Sequence, residues 1–101
     1  MKLYVIGPVT GIEDDNRPAF ECARDALEAA GYEVEIPHDT IPTSAEWHEA
    51  MVMSIKAMMR CDGVCAISGW RKSRGAEFED YLAGVVRLPA KPLDEWLMGD
   101  V

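Results

Sequence analysis

The chain has 101 residues, which suits one domain and leaves no room for two. Hydrophobic residues make up 49%, enough for a packed core, and 18 acidic against 10 basic residues give a formal net charge of −8. This charge argues against a protein that binds the nucleic-acid backbone, because that function requires a basic face. A small anionic ligand is still compatible with it, since a few backbone amides can hold one phosphate inside an acidic protein.

The cysteines and the N-terminus indicate a reducing compartment. Cys22, Cys61 and Cys65 are odd in number and form no paired framework, which favours free thiols. We interpret Cys61 and Cys65 as core or near-core residues, because free Cys behaves as a small hydrophobic side chain. Met1 and Lys2 lead directly into an apolar segment rather than a signal peptide, and no apolar run approaches the ~20 residues of a membrane span. We therefore expect a cytoplasmic protein that does not bind membranes.

The first third of the chain predicts a strand, a helix and a second strand. Leu3 to Ile6 is a continuous apolar run that stops at a Gly-Pro pair, which is typical of a central strand buried on both faces. After a loop over residues 7–15, Asn16-Arg17-Pro18 indicates a helix start with a capping side chain and an early proline, and Gly31 is a natural C-terminal cap. Residues 32–36 alternate apolar and acidic side chains, which predicts a strand at or near a sheet edge.

The middle of the chain predicts a loop and a second helix. Residues 37–42 begin and end with proline and are interpreted as a loop. Residues 43–46, Thr-Ser-Ala-Glu, form a capping box, in which the Thr oxygen accepts from an orphan amide and the Glu reaches back. The helix that this box opens should run to about Arg60. Its predicted apolar face consists of Trp47, Met51, Ile55 and Met58.

The last third predicts a strand and a helix, followed by a less regular tail. Residues 63–67 form a short apolar strand, residues 68–74 a polar loop, and a helix begins near Gly75. The predicted apolar stripe of this helix is Phe78, Leu82 and Val85. Residues 85–88 either close the helix or begin a fourth strand, and residues 94–98 are compatible with a last helical turn.

Strands that alternate with helices predict a parallel sheet with helices on both faces. The expected fold class is α/β: a three-layer α/β/α arrangement around a parallel, four- or five-stranded, Rossmann-like (flavodoxin-like) sheet. Ligands in such sheets bind beyond the carboxyl ends of the strands, near the point where the strand order reverses. Three loops are therefore expected to meet at the site, over residues 7–15, 37–42 and 68–75.

Two features near the start of the third helix could carry chemistry. Ser73 and Gly75 lie at a helix N-terminus, where free amides and the helix dipole form an anion site. The same residues would also serve as an ordinary helix cap. Glu79 shares a helix face with Ala83 and Val86, so it differs from a solvated Glu. It is either an acid that complements the helix dipole or a functional carboxylate.

Other polar residues have weaker signals. Tyr4 lies inside the first strand, where a buried hydroxyl needs a partner; a backbone carbonyl would suffice. Asp62 has the position of a structural turn residue. His38 lies in a loop that faces the site, whereas His48 falls on a probable solvent face, and neither has metal-ligand spacing to the other or to Cys. We expect no metal.

Four short motifs stand out once these residues are placed along the chain. They are Tyr4 to Gly11; Asn16 to Phe20; Cys61-Asp62; and Gly69-Trp70 with Ser73 to Ala76 and Glu79. Together they resemble a small domain family of undefined activity that is frequent in phages and prophages, over residues 1 to about 89. That family is similar to the nucleoside 2-deoxyribosyltransferases and the 2'-deoxynucleoside 5'-monophosphate N-glycosidases, mainly in the first strand and loop and in the G-x-x-x-E pattern from Gly75 to Glu79.

The resemblance implies a single nucleoside 2-deoxyribosyltransferase-like domain over residues 1–101 that acts on the N-glycosidic bond of a nucleoside or its 5'-monophosphate. In it, Glu79 would be the nucleophile, Tyr4 would position it, and Ser73 would help bind the 5'-phosphate. The expected substrate-binding residues are Gly7, Pro8, Thr10, Gly11, Asn16, His38, Ser54, Trp70, Ser73 and Gly75. No cofactor is implied, and the partner is a small nucleoside or nucleotide rather than a nucleic-acid polymer. Relatives of this type pair so that one subunit closes the other's pocket, which implies a homodimer or a larger homo-oligomer.

One position departs from the enzymes that the chain resembles. They carry an aspartate eight residues ahead of the position of Asp62, where this chain has Ser54. A serine cannot protonate a leaving base as a carboxylic acid does. The alternative is therefore a module that binds or sequesters a nucleotide or a nucleotide signal without turnover. A third reading is an interaction protein that uses only the fold.

Overall fold

The computed structural model of the protein describes residues 1–99, so the last two residues of the predicted domain lie outside the described range. Its sheet has four parallel strands: β1 (Lys2–Ile6), β2 (Glu33–Glu35), β3 (Gly63–Ala66) and β4 (Ala90–Pro92). Their order is β2-β1-β3-β4, so β2 is an edge strand, as the sequence predicts. The helices are α1 (Arg17–Ala29), α2 (Pro37–Thr40), α3 (Trp47–Met59), α4 (Arg74–Val85) and α5 (Leu93–Met98).

The predicted three-layer α/β architecture is confirmed. Leu3 and Val5 of β1 pack on one face of the sheet against buried side chains of α1 and α5. Tyr4 and Ile6 point to the other face, against α3 and α4. The alternation follows from the two-residue period of a strand, and it explains why the whole of β1 after Lys2 is buried. The strand order reverses between β1 and β3, which places the expected site beyond their carboxyl ends.

Three local predictions in the first half of the chain are wrong. Asn16 does not cap α1 with its side chain: it has a left-handed backbone (φ 58°), and its Nδ2 donates to the Pro8 carbonyl at 2.9 Å. Residues 37–40 form one helical turn instead of a loop. The capping box at residues 43–46 is not formed, because α3 begins at Trp47 and Glu46 at its N-cap makes no side-chain cap bond.

The buried faces of the two later helices also differ from the prediction. On α4, Phe78 and Val85 are 48% and 60% exposed, whereas the face against the sheet consists of Ala76, Glu79 and Ala83. On α3, Trp47 is 51% exposed and the buried residues are Ser54, Ala57 and Met58. Small side chains let both helices approach the sheet closely, and Met58 is the one large apolar side chain among these buried residues.

The structure decides between the two alternatives predicted for residues 85–88, the end of a helix or the start of a fourth strand. Residues 85–88 close α4, and Arg87 has a left-handed backbone (φ 63°) that turns the chain. The fourth strand follows at residues 90–92, and α5 then buries Trp96, whose indole nitrogen donates to the Val64 carbonyl at 2.8 Å. Cys61 and Cys65 are buried as predicted, and Cys22 is exposed. Within residues 1–99, no helix is long and apolar enough to cross a membrane.

Candidate functional site

A cleft of about 390 Å³ opens beyond the carboxyl end of β1 and beside the N-terminal half of α4. Five parts of the chain line it: the end of β1 with the loop that follows, the first turn of α1, residues 37–45, the first two turns of α3, and the start of α4. All three loops expected from the fold therefore contribute to one cavity. Seven of the predicted residues line it: Gly7, Thr10, His38, Ser54, Ser73, Gly75 and Glu79.

A buried chain of hydroxyl and carboxyl groups lies at the wall of the cleft. The Tyr4 hydroxyl and the Ser54 hydroxyl are 2.7 Å apart, and Ser54 Oγ donates in turn to Oε2 of Glu79. All three side chains are buried, with relative exposures of 0% for Tyr4 and 6% each for Ser54 and Glu79. They come from three elements, β1, α3 and α4. The Tyr4 hydroxyl thus has a side-chain partner instead of the backbone carbonyl considered above.

Burial sets the protonation behaviour of this chain. Loss of solvent raises the pKa of Glu79 from its ordinary 4.5 to about 7, although the hydrogen bond from Ser54 lowers it in part. Burial also raises the pKa of Tyr4 well above its ordinary value, so this hydroxyl stays neutral. A carboxyl with a pKa near neutrality inside a cleft is a feature of functional sites, because ordinary surface acids have no reason to titrate there.

The start of α4 combines a helix cap with a tight helix contact. Ser73 is the N-cap, and its Oγ accepts from the Ala76 amide at 3.2 Å. A Cβ placed on Gly75 would lie 2.9 Å from Sδ of Met51, so the glycine leaves room for this side chain of α3 beside α4. Both residues still line the cleft, so the cap and the predicted anion site coexist at this helix end.

The opposite wall is held by an unusual loop. Asp14, Asp15 and Asn16 are three successive non-glycine residues with a left-handed backbone. Two side-chain hydrogen bonds hold them: the one from Asn16 to Pro8, and one of 2.7 Å between His38 Nε2 and the Asp15 carbonyl. Because a carbonyl only accepts, Nε2 carries a proton. His38 Nδ1 is buried without a partner among the described residues.

The remaining predicted residues do not line the cleft. Pro8 and Asn16 support its loop through their mutual hydrogen bond, and Gly11 is exposed with a left-handed backbone. Trp70, expected to bind substrate, is half-buried against the core cluster between the sheet and the α3–α4 layer. Tyr4 lies beneath the wall and reaches the cleft through Ser54.

Sequence reasoning missed several residues that line the cleft, chiefly Asp15 and Arg17 on the loop side and the Ile41–Ala45 segment. The proximity of Arg17 could have been anticipated, because it begins the helix that follows the first ligand-facing loop. The position of residues 41–45 depends on the helical turn at α2, which the sequence did not predict. Among residues 1–99, no three His, Cys, Asp or Glu side chains cluster in a way that could hold a metal ion.

Comparison with known proteins agrees with this architecture. The chain belongs to the family described as a domain of unknown function (DUF4406), which matches residues 1–91, and no curated protein matches it. Among solved structures it is similar to the 2-desoxiribosyltransferase from Leishmania mexicana, with a TM-score of 0.69 and 20% identity. The similarity covers 90% of this chain and 62% of that one, so the chain spans less than two thirds of the length of that structure. The predicted resemblance is confirmed at the level of family and fold.

Proposed function

We propose that the protein binds a nucleoside or nucleoside 5'-monophosphate in the cleft and breaks its N-glycosidic bond, with Glu79 as the nucleophile. The observation that carries the proposal is the buried Glu79 carboxyl, which lines the cleft, receives a hydrogen bond from Ser54 and has a pKa raised to about 7. The similarity in fold to the 2-desoxiribosyltransferase supports the same substrate class.

The reaction balances with this chain's own groups and a water or a second base. A Glu79 carboxylate oxygen attacks the anomeric carbon through an oxocarbenium-like state, and the carbon–nitrogen bond breaks with its electron pair leaving on the base. The base takes up a proton, and water or an incoming base then displaces the sugar from Glu79. Only ionised Glu79 can attack, so its raised pKa restricts turnover to neutral and higher pH.

The proton for the leaving base has one candidate donor among the predicted residues. Ser54 occupies the position where the related enzymes carry an acid, and its hydroxyl is already engaged with Tyr4 and Glu79. His38 lines the cleft, and its Nε2 is fixed on the Asp15 carbonyl. Its Nδ1 is buried and has no partner among the described residues, so the ring must turn toward the cleft before this atom can meet a base. We propose that His38 makes this turn and supplies the proton to the leaving base.

The same proposal includes a homodimer or larger homo-oligomer. A groove between α3 and α4 adjoins the cleft and shares Trp47 and Met51 with it. Its other apolar side chains include Val52, Phe78 and Tyr81, which are 40%, 48% and 68% exposed. An apolar groove beside an open cleft is the surface that a second copy would cover, which would also shield the site from water.

A second function, sequestration without turnover, is favoured by Ser54. General-acid help contributes ~10²–10⁴-fold to such reactions, and a serine gives none. If His38 does not supply the proton, the cleft would bind a nucleotide and release it unchanged.

The experiment incubates the protein with a panel of nucleosides and 5'-monophosphates, detects free base by chromatography, and measures binding of the same compounds by calorimetry. We expect Glu79→Gln to abolish base release while binding stays close to that of the parent and the melting temperature does not fall. Glu28→Gln, an exposed position on α1 on the other face of the sheet, is the matched control and should retain full activity. Binding without base release by the parent would select the sequestering module. If Glu79→Gln kept an activity within tenfold of the parent's, the assignment of Glu79 as the nucleophile would be wrong.

A further inference from the structure

We infer that Ser54 is a positioning residue that ties Oε2 of Glu79 to the buried Tyr4 hydroxyl and leaves Oε1 as the oxygen that reacts. We call the two hydrogen bonds that join Tyr4, Ser54 and Glu79 the tether. The tether is formed in the folded protein without substrate. The reactive role of Oε1 rests on the proposed function. The family to which the chain belongs is described only as a domain of unknown function, which assigns no role to Ser54.

The direction of the hydrogen bonds follows from the chemistry of the three groups. An ionised carboxylate only accepts, so the Ser54 hydroxyl must donate to Glu79. The Ser54 oxygen is then free to accept, and the Tyr4 hydroxyl donates to it. The chain therefore runs one way, from Tyr4 through Ser54 to Glu79, and every hydroxyl proton has an acceptor.

Protonation of Glu79 is compatible with this chain only at one oxygen. A proton on Oε2 would have to be donated to Ser54, and Ser54 would then donate to Tyr4. The Tyr4 proton would be left without an acceptor among the described residues, which is costly for a fully buried hydroxyl. A proton on Oε1 leaves the chain intact. The titrating oxygen is therefore Oε1.

The two carboxylate oxygens also differ in their access to the cleft. Oε2 is held by Ser54, whereas Oε1 has no hydrogen-bond partner among the described residues and is not one of their solvent-inaccessible unpartnered atoms. Because Glu79 lines the cleft, a ligand can reach Oε1. The tether thus fixes the rotamer of Glu79 and presents one oxygen, which is the arrangement that an oriented nucleophile requires.

Several charged or titratable groups belong to the elements around Glu79. They are Tyr4 of β1, Asp15 of the loop, Arg17 of α1, His38 of α2, and Arg74, Glu77 and Asp80 on α4 itself. Of the side chains around it, Ser54 is the one that makes a hydrogen bond to Glu79 within residues 1–99. Its removal is therefore the most direct change to the protonation of Glu79.

The test compares Ser54→Ala, Ser54→Thr and Tyr4→Phe with the parent. The pH titration of the Glu79 side-chain carboxyl is followed by carbon NMR, with the signal assigned by its loss in Glu79→Gln. Ser54→Ala removes the bond that lowers the pKa of Glu79, so we expect the titration to move to higher pH. Ser54→Thr keeps the hydroxyl and should titrate as the parent does. Tyr4→Phe keeps the bond from Ser54 to Glu79 and should shift the titration upward by less than Ser54→Ala.

The titration and the kinetics separate the tether from the proposed function. If Glu79 titrates at the same pH in Ser54→Ala and the parent, the tether is overturned whatever the activity. If Ser54→Ala does not fold, Tyr4→Phe is the deciding variant. A Glu79 titration identical to the parent's would then show that Tyr4 and Ser54 do not act on Glu79 as proposed. On any compound that the parent cleaves, we expect Ser54→Ala to lower kcat roughly 10- to 100-fold with little change in KM, the loss of one hydrogen bond to a charged group. An unchanged kcat together with a shifted titration would overturn the positioning role.

Discussion

Glu79 is the residue at which stability and the proposed reaction oppose each other. A carboxyl placed among Ala76, Ala83 and the sheet loses most of its hydration, which disfavours its charged form. The charged form is the one that a nucleophile needs. The bond from Ser54 offsets part of this cost, and the remainder is a stability penalty that the fold carries at neutral pH.

This penalty predicts how stability depends on pH. The pKa of Glu79 is about 7 in the folded chain and 4.5 as an ordinary side chain, so the folded state binds more protons between these values. The contribution of Glu79 to the free energy of unfolding is therefore complete below pH 4.5 and is lost as the pH rises through about 7. The total loss is about 3 kcal/mol. We expect urea unfolding of the parent to give a lower free energy of unfolding above pH 7 than below pH 4.5. Glu79→Gln should lack this difference, Glu77→Gln should retain it, and equal slopes in both variants would contradict it.

Position 54 offers a second residue-scale prediction. Ser54→Asp restores a carboxylic acid beside Glu79, and two acids that close raise the pKa of one of them, as a proton donor near neutrality requires. We expect faster base release with unchanged binding, because the proton is supplied in the transition state. Since a buried unpaired carboxylate can cost several kcal/mol, circular dichroism must first confirm folding. A folded variant that is no faster than the parent would indicate that another group, with His38 the candidate, already supplies the proton.

At the scale of elements, the sequence identified the helices better than their buried faces. The start of α1 at Arg17-Pro18 and the N-cap at Ser73 follow from local chemistry and are correct. The buried face of α4 was assigned to its largest apolar residues, and this was wrong because alanines allow a closer approach to the sheet than Phe78 does. The helix face that carries Glu79 beside Ala83 was recognised from spacing alone. Local capping rules failed at α3, which begins at Trp47 without a side-chain cap.

The contact between α3 and α4 gives an element-scale prediction. A Cβ at Gly75 would lie 2.9 Å from Sδ of Met51, the end of a flexible side chain that also lines the cleft. We expect Gly75→Ala to change stability by less than about 1 kcal/mol, since the gain in helix propensity offsets the contact. Its main effect should be displacement of Met51, seen as nucleotide binding weakened severalfold in calorimetry.

Two further variants make this prediction specific. Gly84→Ala lies on the same helix with nothing within 4 Å of the added Cβ, so it should stabilise the protein by up to ~1 kcal/mol without affecting binding. Met51→Ala combined with Gly75→Ala removes the collision and should recover part of the lost affinity. If Gly75→Ala binds as tightly as the parent, Met51 relaxes away from the cleft and the contact has no role in the site.

For the whole molecule, the alternation of strands and helices was enough to predict the layers, the parallel sheet and the end at which the site lies. Parallel crossovers leave few arrangements, and the reversal between β1 and β3 fixes the cleft. The walls of the cleft could not be predicted in the same way. The left-handed run at Asp14–Asn16 is held by the long-range bond to His38, and no local pattern indicates such a bond. Residues paired through distant contacts, such as Ser54 with Tyr4, likewise emerge only from the fold.

The surface of the whole molecule leads to the last prediction. Trp47, Phe78 and Tyr81 lie exposed along the groove between α3 and α4, next to the cleft. Each copy carries a net charge of −8, so two copies repel while their apolar grooves attract. We expect a homodimer or larger in light scattering at about 10–100 micromolar, concentrations at which affinities of ~8 kcal/mol suffice. Added salt should strengthen the assembly, because it screens the repulsion and leaves the apolar contact in place. Tyr81→Glu should give a monomer with weaker nucleotide binding, whereas Leu97→Glu, also an exposed apolar position but on α5 across the sheet, should assemble as the parent does. A parent that is monomeric over this range, or a dimer insensitive to Tyr81→Glu, would show that the groove does not serve as the contact between copies.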